Sequence, residues 1–346
     1  SLVLLLLPFI IGFFLTNDDR GVFQSSGSIN VRLVQPNIDP YEKFGGNNKE
    51  QIQSFSELIA GPGIDTIDLA ILPETAIPRA VWKRQLRTDA LLRPLWEIIQ
   101  RDSMALLTGF TEVRSIDPKT ETVPASARPF NDGTFYEVYN ASALLRADTT
   151  PQTFQKGKLV PMVERVPYLE YFGFLKNMNI DLGGSFGNYG KPPVFQPLNG
   201  PAGSRIASLV CYESEYGDYI RPLFNKGANL MTIVTNDGWW NFDNSTNTRS
   251  GSSGHIQHAN LAVLRAIENR REIARSANTG TSLFVDVKGN ILQPTDYWVK
   301  TTTDRTCKLY DSTTFYMRHG DFLGLIALAI SIIVIGYTII KRLFLT

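Results

Sequence analysis

Three residues with chemically reactive side chains lie at or near the ends of strand-like segments. Glu74 and Cys211 follow short apolar runs, and Lys156 stands just before another. A carboxylate, an amine and a thiol can together carry acyl transfer through a thioester. In that chemistry the carboxylate is the base, the thiol is the nucleophile, and the amine stabilises the oxyanion. The sequence therefore predicts a catalytic site made of Glu74, Lys156 and Cys211.

Residues near these three in the sequence are predicted to support them. We expect Glu164 to pair with Lys156, and the backbone N–H of Tyr212 to contribute to the oxyanion site. Glu213 stands two residues after Cys211, and in a strand that spacing places both side chains on the same side.

Each of these assignments has a structural alternative that the sequence leaves open. Glu74 could cap a turn, Lys156 could be a solvated surface lysine, and Glu164 could form a surface ion pair with a neighbouring arginine. Asn236, Asp237 and Trp239 follow another strand-like run and are predicted to line a pocket. Their alternative is an ordinary turn with a packed aromatic ring.

Composition and cysteine count narrow the classes of function. The net charge is +1 over 346 residues, so nothing indicates a nucleic-acid partner. His255 and His258 are three residues apart without a third ligand nearby, and we predict neither a metal nor a cofactor. Cys211 and Cys307 are the two cysteines, and a disulfide between them is the alternative to a free catalytic thiol.

The elements that must position these residues alternate between strands and helices. Such alternation predicts an α/β domain, in which sites lie at the carboxyl ends of strands. The predicted strands are 30–34, 68–72, 105–110, 136–145, 206–210 and 230–235, with a hairpin opening at 282–287, and the predicted helices are 49–58, 91–101, 219–226 and 255–272.

The C-terminal part of the chain contains a candidate membrane helix. The run 322–340 carries no charge, and at about 1.5 Å per residue it is long enough to cross a bilayer core. Lys341 and Arg342 follow directly, and by the positive-inside rule they place the C-terminus in the cytoplasm. The sequence thus predicts a span at 321–340, with a buried core helix as the alternative.

The first residues of the chain predict a second membrane helix. Residues 2–15 are apolar and are followed by the polar residues 17–20. No basic segment precedes the apolar run, so we expect residues 1–16 to be the last part of a membrane helix whose beginning is missing, rather than a signal peptide. Both helices would emerge on one face, leaving 27–312 as an extracytoplasmic domain. An aromatic stretch at 167–189 is expected to dip into the lipid interface, or alternatively to pack in the core.

These motifs resemble those of the nitrilase superfamily and, within it, those of the C-terminal part of the apolipoprotein N-acyltransferases. The resemblance covers about residues 30 to 342. It rests on the segments Val34–Asn37, Leu72–Thr75, Lys156–Pro161 with Glu164, Val210–Glu213, Thr235–Trp239, Gln257–His258, Arg265–Arg270 and Phe315–Asp321.

The resemblance implies a nitrilase-like αββα sandwich flanked by transmembrane helices, with further membrane helices upstream. It implies a multi-pass protein of the bacterial inner membrane, acting as a monomer, whose catalytic domain lies on the periplasmic face. The implied reaction moves a fatty acyl chain from a phospholipid, through a thioester on Cys211, to the N-terminal amine of a diacylglyceryl lipoprotein.

Two other functions stay open at this point. A membrane-tethered nitrilase-type amidase would form the same thioester and resolve it with water instead of an amine. A catalytically inactive nitrilase-like domain would act only as a binding module, and its Cys211 would be unreactive. The three residues alone do not distinguish these functions.

Overall fold

The computed structural model describes residues 6–7, 9–10, 12–13, 24–40, 43–168, 171, 187–192, 195–238, 242–243, 248–249 and 253–344. Its strands are β1 (Ser25–Gln35), β2 (Leu69–Ile71), β3 (Ala80–Trp82), β4 (Ala105–Ile116), β5 (Arg128–Pro129), β6 (Phe135–Leu145), β7 (Gln152–Gln155), β8 (Leu198–Asn199), β9 (Arg205–Val210), β10 (Leu230–Thr235), β11 (Phe242–Asp243), β12 (Thr248–Arg249), β13 (Ile273–Ala277), β14 (Leu283–Val285), β15 (Ile291–Leu292) and β16 (Thr301–Tyr310). Its helices are α1 (Asn48–Ile59), α2 (Arg93–Arg101), α3 (Gly217–Asn225), α4 (Gly254–Asn269), α5 (Phe315–His319) and α6 (Phe322–Phe344).

The strands form two mixed sheets and a separate antiparallel pair, β11 with β12. The first runs in the order β16-β1-β2-β4-β6-β5, with β3 also paired to β4 and β7 to β6. The second runs in the order β15-β14-β13-β10-β9-β8. In both sheets the central strands are parallel, β1 with β2 and β4 in the first, and β9 with β10 and β13 in the second. The carboxyl ends of each parallel set therefore meet at one edge of its sheet.

Alternating side chains on the central strands pack into two separate cores. Leu69 and Ile71 of β2 belong to a buried cluster shared with β9 and β10, which lies between the sheets. Ala70 and Leu72 belong to a second cluster with α1 and α2. Helices α3 and α4 cover the second sheet on its other side. The layers are thus helix, sheet, sheet and helix, and the α/β sandwich predicted from the sequence is confirmed.

Most of the predicted elements are confirmed, with differences that have local causes. Strand β16 was not predicted because its threonine-rich sequence lacks a regular apolar pattern, although it pairs antiparallel with β1 along the edge of the first sheet. Helix α4 ends at Asn269 and not at Glu272, because Arg270 takes a left-handed conformation with φ of 48°. That conformation terminates the helical hydrogen-bond pattern.

Helix α6 extends away from the domain with its apolar side chains exposed. Among the described residues, Phe322–Leu343 is the one helix long and apolar enough to cross a membrane, and none of it is buried against the protein. It begins at Phe322 because the Asp321 carboxylate accepts the backbone N–H of Gly324. Within the predicted first span, residues 6–7, 9–10 and 12–13 are described and are helical, and the rest lies outside the described residues.

A tight contact between β4 and the turn after β2 fixes the position of Glu74. The Gly109 N–H donates to the Pro73 carbonyl at 3.1 Å. A β-carbon at Gly109 would lie 2.5 Å from the Thr75 nitrogen and 2.6 Å from the Glu74 α-carbon. Only glycine fits at this position without displacing the turn.

We expect Gly109→Ala to destabilise the domain by about 1–3 kcal/mol, because the added methyl group must push backbone atoms apart. Thermal unfolding measures this effect. Gly27→Ala is the matched control, since the nearest atom to its new β-carbon is 3.7 Å away on the Leu309 side chain. Equal melting temperatures for the two variants would contradict the contact.

Candidate active site

Cys211 lies on a sharp turn at the carboxyl end of β9. The strand ends at Val210, Cys211 takes a left-handed conformation with φ of 50°, and residues Cys211–Glu215 form a 3₁₀ turn. Left-handed backbone is uncommon for residues other than glycine, and it is enriched at functional sites. The turn directs the thiol out of the line of the strand and into a cavity.

Glu213 does not lie beside the thiol as the strand geometry predicted. The expectation was wrong because the chain turns at Cys211, so the alternating pattern of a strand does not extend to Glu213. Its fully buried carboxylate accepts the N–H of Val210 at 2.9 Å and the N–H of Gly157 at 2.8 Å. Glu213 therefore ties the turn that carries Cys211 to the segment that follows Lys156. Burial raises the pKa of Glu213 to about 7, against the opposing effect of these hydrogen bonds.

Lys156 is buried between two carboxylates. Its Nζ lies 2.9 Å from Glu164 Oε1 and 3.2 Å from Glu74 Oε1, and the residue is 1% exposed. The alternative of a solvated lysine is therefore wrong. Burial alone would lower the pKa of Lys156, but the carboxylates of Glu164 and Glu74 outweigh burial and raise it well above its usual value. The site holds a permanent ammonium group.

Asn140 holds both carboxylates in place and was not assigned a role from the sequence. Its Nδ2 donates to Glu74 Oε1 at 2.8 Å and to Glu164 Oε1 at 2.7 Å. The backbone carbonyl of Asn140 accepts the backbone N–H of Lys156 at 2.8 Å. A polar side chain within the buried strand β6 was the available signal. Glu164 also accepts the N–H of Val160 at 2.7 Å, so the alternative of a surface ion pair for Glu164 is wrong.

Glu74, Lys156, Glu164 and Cys211 lie around one cavity of about 310 Å³. Tyr212 and Asn236 also line it, whereas Glu213 and Asp237 do not, and Trp239 is outside the described residues. The lining residues are Pro40, Lys43, Phe44, Glu74, Thr75, Asn140, Lys156, Val160, Val163, Glu164, Tyr189, Cys211, Tyr212, Glu215, Asn236 and His258.

The Cys211 thiol is protonated in this environment. Burial raises its pKa most, and Glu74 raises it further. Lys156 and a hydrogen bond with Thr235 act in the opposite direction without overcoming burial. A thiol of this kind needs a base to become a nucleophile. Cys307 is also a free thiol, buried in β16, so the disulfide alternative is wrong.

A buried network lies behind the turn that carries Cys211. His258 Nδ1 is 2.9 Å from Asp237 Oδ1, and Arg275 donates to Asp237 Oδ2 at 2.7 Å. His258 Nε2 lies 3.3 Å from the carbonyl oxygen of Cys211 and 3.3 Å from Ser214 Oγ. From the sequence, His258 was weighed as a metal ligand and was part of a segment that resembles the family. In the structure it contacts the turn that carries Cys211 and braces it. No cluster that would hold a metal occurs within the described ranges.

Comparison with known proteins shows the family and the fold. The family model described as carbon-nitrogen hydrolase matches residues 30–315, which span both sheets and every residue of the site. The chain belongs to the carbon-nitrogen hydrolase family. Solved structures support the same fold: Saccharomyces cerevisiae Nit3, of branch 10 of the nitrilase superfamily, has a TM-score of 0.52 at 17% identity, covering 82% of this chain and 91% of Nit3.

Other relatives of the chain carry an acyltransferase name. The apolipoprotein N-acyltransferase of Chlorobaculum tepidum is 34% identical over 316 residues, 89% of this chain and 56% of that protein. Apolipoprotein N-acyltransferase 1 of Treponema denticola is 28% identical over 338 residues, 90% of this chain and 57% of that protein. The chain spans a little over half the length of the two acyltransferases.

An amidase from Nesterenkonia sp. shares the fold, with a TM-score of 0.52 at 16% identity, covering 88% of this chain and 97% of the amidase.

The raised pKa of Glu213 makes the stability of the domain depend on pH. Between pH 4.5 and about 7 the folded state holds a proton on Glu213 that the unfolded state has released. The contribution of Glu213 to the free energy of unfolding therefore falls as pH rises through this window, by up to about 1.4 kcal/mol per pH unit. Glu213→Gln removes this dependence, so we expect the parent to lose stability relative to the variant between pH 5 and 7.

Thermal unfolding of both proteins at pH 5, 6, 7 and 8 checks this expectation. Glu97→Gln, at an exposed position of α2, is the control for loss of one negative charge. Parallel stability curves for the parent and Glu213→Gln would contradict the prediction.

Proposed function

We propose that the chain is the catalytic part of a membrane-bound acyltransferase. It moves a fatty acyl chain from a phospholipid, through a thioester on Cys211, to the N-terminal amine of the diacylglyceryl-cysteine of a lipoprotein. The observation that carries the proposal is the convergence of the Cys211 thiol, the Lys156 ammonium and the Glu74 carboxylate on one cavity. The names of relatives that match about nine-tenths of the chain support N-acylation of an apolipoprotein.

The first half of the proposed reaction acylates the cysteine. Glu74 accepts the thiol proton, and the Cys211 sulfur attacks the carbonyl carbon of a phospholipid ester. Negative charge develops on the carbonyl oxygen, where the Lys156 ammonium and the backbone N–H of Tyr212 stabilise it. The ester C–O bond then breaks, the leaving alkoxide takes the proton from Glu74, and a lysophospholipid departs.

The second half transfers the acyl chain to an amine. The neutral amine of the acceptor attacks the thioester carbon, and Glu74 accepts one of its protons. The C–S bond breaks, an amide forms, and the proton passes to the Cys211 sulfur. The same oxyanion site serves both halves, because both pass through a tetrahedral intermediate at the same carbon.

The surroundings of Lys156 suit this task. A single carboxylate beside an ammonium would share its charge with that ammonium and become a weaker base. Here Glu164 forms the shorter contact with Lys156, at 2.9 Å against 3.2 Å for Glu74. In the proposed mechanism Glu164 supplies the counter-charge for Lys156, and Glu74 is left to move protons.

The position of α6 supports action at a membrane surface. Helix α5 is bound to α3 through the Met317 carbonyl, which accepts hydrogen bonds from Arg221 and Asn225. The apolar helix α6 starts three residues after α5 ends. In the proposed arrangement α6 crosses the bacterial inner membrane, Lys341 and Arg342 lie in the cytoplasm, and the catalytic domain lies against the periplasmic face.

Substitutions at the three reactive residues test the mechanism. We expect Cys211→Ala, Glu74→Gln and Lys156→Met each to abolish the acyl adduct that forms when the protein is mixed with phospholipid. Removing one oxyanion donor costs roughly 3–4 kcal/mol in such sites, and losing the nucleophile or its base removes the pathway. Mass spectrometry of the intact protein measures the adduct, and thermal unfolding checks that each variant folds.

Cys307→Ala is the matched control and should keep the adduct, since its thiol is fully buried in β16. An adduct on Cys211→Ala would overturn the assignment of the nucleophile. An adduct that water releases as free fatty acid, with no transfer to a diacylglyceryl peptide, would favour the tethered amidase instead.

Protease accessibility tests the proposed topology. We expect protease added outside intact spheroplasts to cleave the catalytic domain, because that domain faces the periplasm, and a reporter fused to the C-terminus to be cytoplasmic. A cytoplasmic protein that stays uncut is the control for intact membranes. Full protection of the domain would show that the orientation is the reverse.

A further inference from the structure

Lys43 is a buried lysine beside the proposed base that has no role in the reaction described above. It is 2% exposed and lines the cavity. Its Nζ donates to the Glu74 carbonyl at 3.0 Å and to Thr75 Oγ1 at 3.0 Å. It forms no ion pair with any residue that the structure describes. The Lys43 amino group therefore donates its hydrogen bonds to the backbone and to a side chain of the turn that carries Glu74.

That turn has a strained backbone. Thr75 takes a left-handed conformation with φ of 46°, which is sterically unfavourable for a β-branched residue. Such a conformation persists only where the surrounding structure enforces it. Gly109 packs against one side of the turn, and Lys43 binds it from the cavity side. Glu74 lies between these two contacts, so they set the direction of its side chain.

Lys43 is itself held in place. Its backbone N–H donates to the Asp39 carbonyl at 3.1 Å, and its own carbonyl accepts a hydrogen bond from Gln51 of α1 at 2.8 Å. Burial lowers the pKa of Lys43 to about 7, with Glu74 acting in the opposite direction. Burying an amine without a carboxylate partner is costly, and an apolar side chain would fill the same space at lower cost.

We propose that Lys43 is a positioning residue for the proposed base: it locks the Pro73–Thr75 turn so that the Glu74 carboxylate points at Cys211. The proposal rests on the proposed roles of Glu74 and Cys211. Lys43 acts through Glu74 and has no contact of its own with the reacting atoms. Loss of Lys43 lets the turn relax, and displacing a base by about 1 Å can cost a hundredfold in rate.

The first experiment needs no acyl substrate. In a Cys307→Ala background, the rate of Cys211 alkylation by iodoacetamide reports how well Glu74 assists the thiol. We expect Lys43→Met to slow alkylation by about 5-fold or more, with Glu74→Gln as the reference for complete loss of the base. Lys300→Met is the matched control, because Lys300 is exposed and donates only to Ser54 at 2.7 Å.

The second experiment measures acyl-adduct formation against phospholipid concentration. Since Lys43 positions a proton acceptor, we expect Lys43→Met to lower the maximum rate about 10- to 100-fold and to change the half-saturating concentration less than threefold. A change confined to the half-saturating concentration would make Lys43 a substrate-binding residue and overturn the proposal.

A double-mutant cycle tests the route through Thr75. Thr75→Val removes the hydroxyl that Lys43 binds and keeps the branched shape. Lys43→Met removes both hydrogen bonds to the turn, and the Thr75 hydroxyl acts through one of them. The double variant should therefore be no more than about twofold slower than Lys43→Met alone. Independent, multiplying effects would contradict the proposal. If Lys43→Met fails to fold, the same alkylation rate is measured for Thr75→Val and for Lys43→Gln, and we expect it to be lower than in the parent.

The outcomes separate this inference from the proposed function. If the parent forms no acyl adduct but its alkylation depends on Glu74 and on Lys43, the acyltransferase function fails and the positioning role stands. If alkylation of Lys43→Met equals that of Lys300→Met in a folded protein, the positioning role is wrong whatever the function.

Discussion

The site depends on one buried ammonium group. Lys156 is almost completely shielded from water, and such a charge is tolerated only when it is paired and hydrogen-bonded. Glu74 and Glu164 supply the charges, and Asn140 donates one N–H to each of them. Removing one partner from a buried ion pair costs about 3–5 kcal/mol, because the other charge is left unpaired. The buried charge of Lys156 is therefore stable only because Glu74, Asn140 and Glu164, from separate segments of the chain, lie around it.

The proposed nucleophile, Cys211, comes from the other sheet, and Glu213 links the two halves of the site. One oxygen of Glu213 accepts from Val210, at the end of β9, and the other accepts from Gly157, next to Lys156. Ser142 of β6 and Ser208 of β9 add a second polar contact between the sheets, at 2.7 Å. These hydrogen bonds fix the position of the Cys211 turn relative to Lys156. The cavity lined by Cys211 and Lys156 lies between the two sheets' contributions to the site.

Local sequence patterns predicted the strands and the positions of Glu74, Lys156 and Cys211 near their ends. Such patterns depend only on residues that are neighbours in the sequence: an apolar run and the polar residue beside it. They did not predict where Glu213 points, because that depends on whether one residue, Cys211, continues the strand or turns into a left-handed conformation. The role of Asn140 depends on the pairing of β6 with β4 and β7, and that of His258 on helix α4 packing behind the turn. Pairings between distant segments have no local signal. Trp239 lies outside the described residues.

Acyl transfer and hydrolysis differ only in what reaches the thioester, so access to the cavity decides between them. Glu74 would activate a water molecule as readily as an amine. Apolar side chains form much of the cavity wall, among them Phe44, Val160 and Tyr212. A bound acyl chain would cover these surfaces and displace water from the sulfur. An amine carried on a lipid, presented at the membrane surface beside α6, would then have an access route that bulk water lacks. In the proposed function the same hydrophobic contacts that bind the donor also protect the intermediate.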